Sequence, residues 1–119
     1  MKTINIATDF SDVPGGRFRA DGPFNGQDFR DKFLAPALRN DNGATVILDG
    51  TEGFGSSFLE EAFGGLVRHY DFDDAVLKSK LQLVAETNSA QRYKRLALKF
   101  LDDAIKARKL TLPAVPSRK

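Results

Sequence analysis

Residues 44–70 read Ala44-Thr-Val-Ile-Leu-Asp49-Gly-Thr-Glu-Gly-Phe54-Gly-Ser56-Ser57-Phe-Leu-Glu60-Glu-Ala-Phe-Gly-Gly-Leu-Val-Arg-His-Tyr70. A short β-branched run, Thr45 to Leu48, stops at Asp49, and its length and apolarity suit a strand buried on both faces. A glycine-rich turn follows, and two serines then open a helix. Phe58, Leu59, Ala62, Phe63, Leu66, Val67 and Tyr70 recur at helical period as a single stripe. Glu60, Glu61, Arg68 and His69 lie off that stripe. The segment therefore predicts a βα unit with a hydroxyl at the positive end of a helix, beside the end of a buried strand. Such a position favours a phosphoryl group.

Outward from this unit, the elements alternate. Ile4 and Ile6 show period-two spacing within Thr3 to Phe10, which predicts a strand. Ser11 to Gly26 is rich in turn formers, and Arg17 to Ala20 between two turns predicts a short second strand, hairpin-paired with the first. Asn25 or Gly26 can cap a helix that carries Asp28 and Asp31 early, where they suit the helix dipole, and presents Phe29, Phe33, Leu34 and Leu38. Pro36 should end or kink it. Asp71 to Lys80 predicts at most a short helical turn around Ala75 to Leu77, and Leu81 to Ala85 another buried strand. From about Ser89 to Leu110 runs a long helix whose apolar face is Tyr93, Ala97, Phe100, Leu101, Ala104 and Ile105. Strand, helix, strand and helix after Ala44 imply a parallel pair joined by a right-handed crossover. The expected fold is a single α/β domain over residues 1–110. Its sheet would have about four strands, mostly parallel or mixed, with an N-terminal hairpin and three main helices gathered more on one face. Residues 111–119 are expected to form a flexible basic tail.

Composition narrows the function classes. The chain has 119 residues, 41% hydrophobic and 29% charged, ordinary for a soluble globular domain. It contains no cysteine, which excludes disulfide, thiolate and cysteine-metal chemistry. No apolar run approaches the ~18 residues of a membrane span, and Met1-Lys2-Thr3 leads into a strand-like segment without the apolar core of a signal peptide. The expectation is a cytoplasmic protein with no membrane partner. From Ser89 onward there are nine Lys/Arg against two Asp, so the remaining residues are acidic on balance. A basic terminal helix can contact nucleic acid, but it also keeps such a helix soluble, and nucleic acid is not the favoured partner.

The candidate site residues cluster at the turn. Ser57 with Glu60 three residues later has the spacing of a capping box. That leaves the Ser56 hydroxyl just before the helix, either as a phosphoacceptor or as a turn or cap residue. A phosphate there would meet the helix N-terminal amides and add close to two negative charges to the surface. Asp49, Gly53, Phe54, Gly55, Ser56, Ser57 and Glu60 together outline a partner-docking or anion site. The turn lacks the Lys-Ser/Thr ending of a P-loop and the second glycine of a hydrolase elbow. Arg17 and Arg30 can bind an anion, or can form internal salt bridges, for example to Asp21 or Asp49. His69 reads as solvated, and Asp71 to Asp74 does not follow a calcium-loop register. No catalytic residue, metal or cofactor is called for.

Several spaced segments resemble a family. Pro14-Gly15-Gly16-Arg17, Asp21-Gly22, Gly26-x-x-Phe29-Arg30, Leu34-x-Pro36, Asp49 and Ser56-Ser57-Phe58-Leu59-x-Glu61-Ala62-Phe63-Gly64 are similar to the STAS-like domains of bacteria and phages. These form an uncharacterised branch related to anti-sigma-factor antagonists. The resemblance covers roughly Thr3 to Thr87. In the antagonists a serine at the start of the helix after the central strand is phosphorylated by a partner kinase with a histidine-kinase-like ATPase fold, and Ser56 matches that position. Gly55 stands where those proteins have an acidic residue, and Phe58 where they have glycine. The resemblance implies a non-catalytic signalling module that binds a protein partner, in the manner of such an ATPase or its target, and is switched at Ser56. The alternative is a small-anion or nucleotide-binding domain that uses the same glycine-rich turn.

Overall fold

The computed structural model describes the backbone of residues 1–111 and the side chains up to Leu110. The expected basic tail lies outside the described residues, apart from the backbone of Thr111. Three strands, β1 (Lys2–Asn5), β2 (Ala44–Ile47) and β3 (Leu81–Val84), form one parallel sheet in the order β1-β2-β3. Between them run α1 (residues 26–40), α2 (residues 56–69) and the short α3 (Asp74–Lys80), and α4 (Asn88–Thr111) closes the chain. α1 and α2 are continuous helices, each widened in the middle by a π turn, Arg30–Leu34 in α1 and Glu60–Gly64 in α2.

Side-chain alternation decides the layers. Ile4, Val46 and Leu83 are in register and buried, whereas Thr3, Thr45 and Gln82, and Asn5, Ile47 and Val84, fall on the opposite face and keep solvent contact. Parallel strands laid down in chain order with crossovers of one hand bring their helices to one face. α2 lies at the centre of that layer. Its predicted stripe is buried, from Phe58 and Leu59 to Leu66 and Val67, and so are Gly64 and Gly65.

The structure corrects the expected four-stranded sheet. There is no N-terminal hairpin among the described residues, because side chains capture the backbone donors a ladder would need. Asp21 accepts from the N–H groups of Arg17 (3.1 Å) and Phe18 (2.8 Å), and Arg19–Asp21 closes as a 3₁₀ turn. β1 stops at Asn5 rather than Phe10 for the same kind of reason. The Asn5 side chain accepts from Ala7, the Asn5 N–H donates to Asp9, and Ile6–Phe10 winds into a π turn. That turn aims the Phe10 ring at Phe29 (5.2 Å), Phe33 (5.4 Å) and Phe24 (5.8 Å). Pro36 does not end α1. The preceding π turn, closed by the Ala35 N–H on the Arg30 carbonyl, sets Pro36 in the first turn of the final segment, Ala35–Asn40. A missing N–H is tolerated at the first turn of a helix. Asn25 is the cap, its side chain accepting from the Asp28 N–H at 2.8 Å. α3 extends the expected turn to seven residues. No described helix is long and apolar enough to cross a membrane.

Candidate docking site at the start of the central helix

The serine pair opens α2, but not as the spacing predicts. Gly55 is the N-cap, with extended φ −68° and ψ 141°, and its carbonyl accepts from Leu59. Ser56 and Ser57 are the first two helical residues, both exposed, and neither side chain makes a cap bond. The expected Ser57–Glu60 capping box is therefore absent, because the helix starts two residues earlier and arginines hold the Glu60 carboxylate. Gly53 and Phe54 turn inward. Phe54 is buried against Tyr93 (ring centroids 5.1 Å apart) and Phe58 (5.8 Å). Gly53 has φ 139°, and a Cβ there would stand 3.0 Å from the Tyr93 hydroxyl. The glycine-rich turn is thus anchored to α4 at Gly53 and Phe54, and presents Gly55, Ser56 and Ser57 to solvent.

Asp49 works on the other side of the turn. Its carboxylate accepts from the N–H groups of Thr87 (2.9 Å) and Glu86 (3.0 Å), which ties the end of β2 to the loop entering α4. The Thr87 N–H, helped by that of Glu86, holds the carboxyl below its ordinary pKa against a smaller opposing effect of desolvation. The adjoining crevice, lined by residues that include Asp49, Thr51, Thr87 and Tyr93, measures about 50 Å³. Small-molecule pockets measure about 300–1,000 Å³. In this form the crevice has room for water rather than for a nucleotide.

Behind the serines, Arg17, Arg30 and Arg68 share a hydrogen-bonded network with Glu60, Glu61 and Asp31, and Arg19 also approaches Asp31 at 3.7 Å. Arg17 donates to Glu60 (2.6 Å) and Glu61 (3.2 Å), and Arg68 donates to Glu60 at 2.6 and 2.9 Å. Arg30 pairs with Glu61 and, at 2.8 Å, with Asp31, which also accepts from the Tyr70 hydroxyl at 2.6 Å. The arginines thus pair with Glu60, Glu61 and Asp31. Asp21 and Asp49 are not their side-chain partners, because Asp21 is taken by backbone N–H groups and Asp49 by the loop before α4. Hydrogen bonds from Arg68 first, and then from Arg17, lower the Glu60 pKa against desolvation. For Asp31, burial pushes upward, but the bonds from Arg30 and Tyr70 outweigh it and leave the pKa lowered. His69 is largely solvated, 3.6 Å from Glu61.

Glu61, Asp31, Arg68 and Tyr70 were not among the sequence candidates. Glu61 lies off the apolar stripe, yet is only 2% exposed. The available signal was Gly64-Gly65 inside a helical pattern, where two glycines are unfavourable unless packing requires them. A Cβ at Gly64 would lie 2.5 Å from a Glu60 carboxylate oxygen, and one at Gly65 would collide with the Arg30 guanidinium.

The loop before α1 is tied to the same end of α2. Asp12 accepts from the Glu52 N–H at 2.7 Å, and Arg17 reaches Glu60. That loop leaves Val13, Phe18 and Phe24 exposed at 51%, 48% and 40%. The end of α2 that bears the exposed serines is thus linked, through Arg17 and the Asp12–Glu52 bond, to a loop that carries accessible apolar groups.

The chain is thus an α/β domain built on a three-stranded parallel sheet with its helices on one face. The family model for the STAS-like domain of unknown function (DUF4325) matches residues 25–91, more than half of the chain, and the protein belongs to that family. The match runs from the Asn25 cap through α2 and β3 into the start of α4, and includes every member of the charged network except Arg17. No curated protein and no solved structure matches the chain.

Proposed function

We propose that this STAS-like domain is a non-catalytic regulatory module that binds a protein partner through the surface around Gly53 to Glu61, with phosphorylation of Ser56 as its switch. The observation that carries the reading is the exposed, uncapped serine pair at the start of α2, which Arg17 links to a loop with exposed Val13, Phe18 and Phe24. Ser56 and Glu60 are four residues apart and share a face of the helix. A phosphoryl group on Ser56 thus adds close to two negative charges beside Glu60 and competes for Arg17. It changes both the charge of the docking surface and the tie that holds the loop. A histidine-kinase-like ATPase, or the protein it regulates, is the partner that the family resemblance suggests. The test is a pull-down from the native host with wild type, Ser56→Ala and Ser56→Asp in parallel, with phosphoserine mapping by mass spectrometry. A partner lost or exchanged in Ser56→Asp, together with phosphoserine at position 56, supports the proposal. The same partners for all three proteins and no phosphoserine would remove Ser56 from it.

A further inference from the structure

Among the described residues, the outer edge of β3 is unpaired. Leu48 donates its N–H to the Val84 carbonyl at 2.9 Å. Alternation along the strand therefore turns the N–H and C=O groups of Leu81 and Leu83 away from β2. The strand, Leu-Gln-Leu-Val, has none of the lysines or prolines with which open edges are commonly protected. Beside it, α3 and α4 enclose an apolar groove of about 200 Å³ walled by Leu77, Leu81, Leu98, Leu101 and Ile105. Leu98 is 42% exposed.

α4 carries a pattern that fits a second copy of itself. Lys94, Leu98 and Asp102 follow at four-residue intervals, so they lie on one face of the helix. Lys94 makes no ion pair among the described residues, and Asp102, half-exposed, pairs with Lys106 at 2.9 Å on its own helix. A two-fold axis at Leu98 lays the α4 of a second copy antiparallel to the first. Lys94 of each copy then meets Asp102 of the other, because the two stand equally far on either side of the axis. The same rotation sets the two β3 edges antiparallel, where the outward groups of Leu81 and Leu83 have a matching ladder to join.

We infer that the protein forms a two-fold homodimer across β3 and α4, with Leu98 at the axis and reciprocal Lys94–Asp102 ion pairs beside it. This is a self-complementary contact, the commonest kind in small homo-oligomers. It lies apart from the serine site and does not depend on Ser56. Sedimentation equilibrium over a concentration series tests it, with circular dichroism to verify folding. Wild type should pass from monomer to dimer, and Leu98→Lys should stay monomeric. Lys94→Asp and Asp102→Lys, both at positions with solvent access, should each weaken the dimer at least about tenfold by setting like charges together. Lys94→Asp/Asp102→Lys should restore it. A wild-type monomer throughout, or a dimer whose affinity the single reversals and their combination do not move in this pattern, overturns the inference.

Discussion

Arg30 and Glu61, thirty-one positions apart in sequence, meet as an almost dry ion pair between α1 and α2, at the place where Gly65 leaves room for them. Arg30 is 5% exposed and Glu61 2%. The pair follows from the close approach of the two helices. At Gly26 that approach is so tight that a Cβ would lie 2.5 Å from the Phe58 carbonyl oxygen.

In an ordinary helix, Gly→Ala is stabilising by up to about 1 kcal/mol. At Gly65 the added methyl group would press on the Arg30 guanidinium and on its Cδ at 3.0 Å. Gly65→Ala is therefore expected to destabilise the domain by about 1–3 kcal/mol. Urea denaturation checks this, and an unchanged or raised midpoint would contradict the packing described for the pair.

Arg30→Met leaves Glu61 to Arg17 and Arg68, and Glu61→Met leaves Arg30 to Asp31, so each should cost up to about 3–5 kcal/mol. Arg30→Met/Glu61→Met removes both charges from the interior. It should cost less than the sum of the single losses by about 1 kcal/mol or more, the size of coupling seen between contacting groups. A double-mutant cycle in urea measures the difference. Additive losses would mean that the two groups do not act as a pair.

The strands at Thr45 and Leu81, the stripe of α2 and the long α4 were legible because each is a local pattern of apolar residues. The hairpin was misread because a single carboxylate, Asp21, can take over the N–H groups of Arg17 and Phe18, and no periodicity reports that competition. The charged network was illegible for another reason. Arg17 reaches Glu60 across forty-three positions and Tyr70 reaches Asp31 across thirty-nine, so only the folded arrangement of α1 and α2 brings them together. Of the candidate docking site, the free Ser56 hydroxyl was legible, whereas the helix start at Gly55, which frees Ser57 as well, and the inward turn of Phe54 onto Tyr93 were not.

The helix start at Gly55 makes the serine pair separable from stability. A Ser57–Glu60 capping box would make Ser57→Ala cost about 1 kcal/mol. With Gly55 as the cap, Ser57→Ala should be neutral or slightly stabilising, because alanine is the better helix former. Gly55→Ser supplies a cap oxygen at the right position and should stabilise by a few tenths of a kcal/mol. Thermal unfolding of the two variants decides between the two helix starts. A clear loss in Ser57→Ala would restore the box.

Acid stability should rest on carboxylates that folding holds ionised. Asp49 is held mainly by the Thr87 N–H, Asp31 by Arg30 and Tyr70 against burial, and Glu60 mainly by Arg68, and all three have lowered pKa values. A group lowered on folding contributes its full stability above the unfolded carboxylate value of about 4, and that contribution disappears as pH falls through the folded value. Urea midpoints should accordingly be level above about pH 5 and drop progressively below about pH 4. Asp49→Asn removes one of these charges and weakens the tie between β2 and the loop before α4. It is expected to cost about 1–2 kcal/mol at pH 7, in the range for hydrogen bonds to charged groups. The cost should shrink as pH falls below about 4, where the unfolded chain binds a proton at Asp49 that the folded protein, with its lowered pKa, does not. Urea denaturation of both proteins at pH 7, 5, 4 and 3 provides the comparison. A difference that stays constant down to pH 3 would show that Asp49 acts through its shape and not its charge.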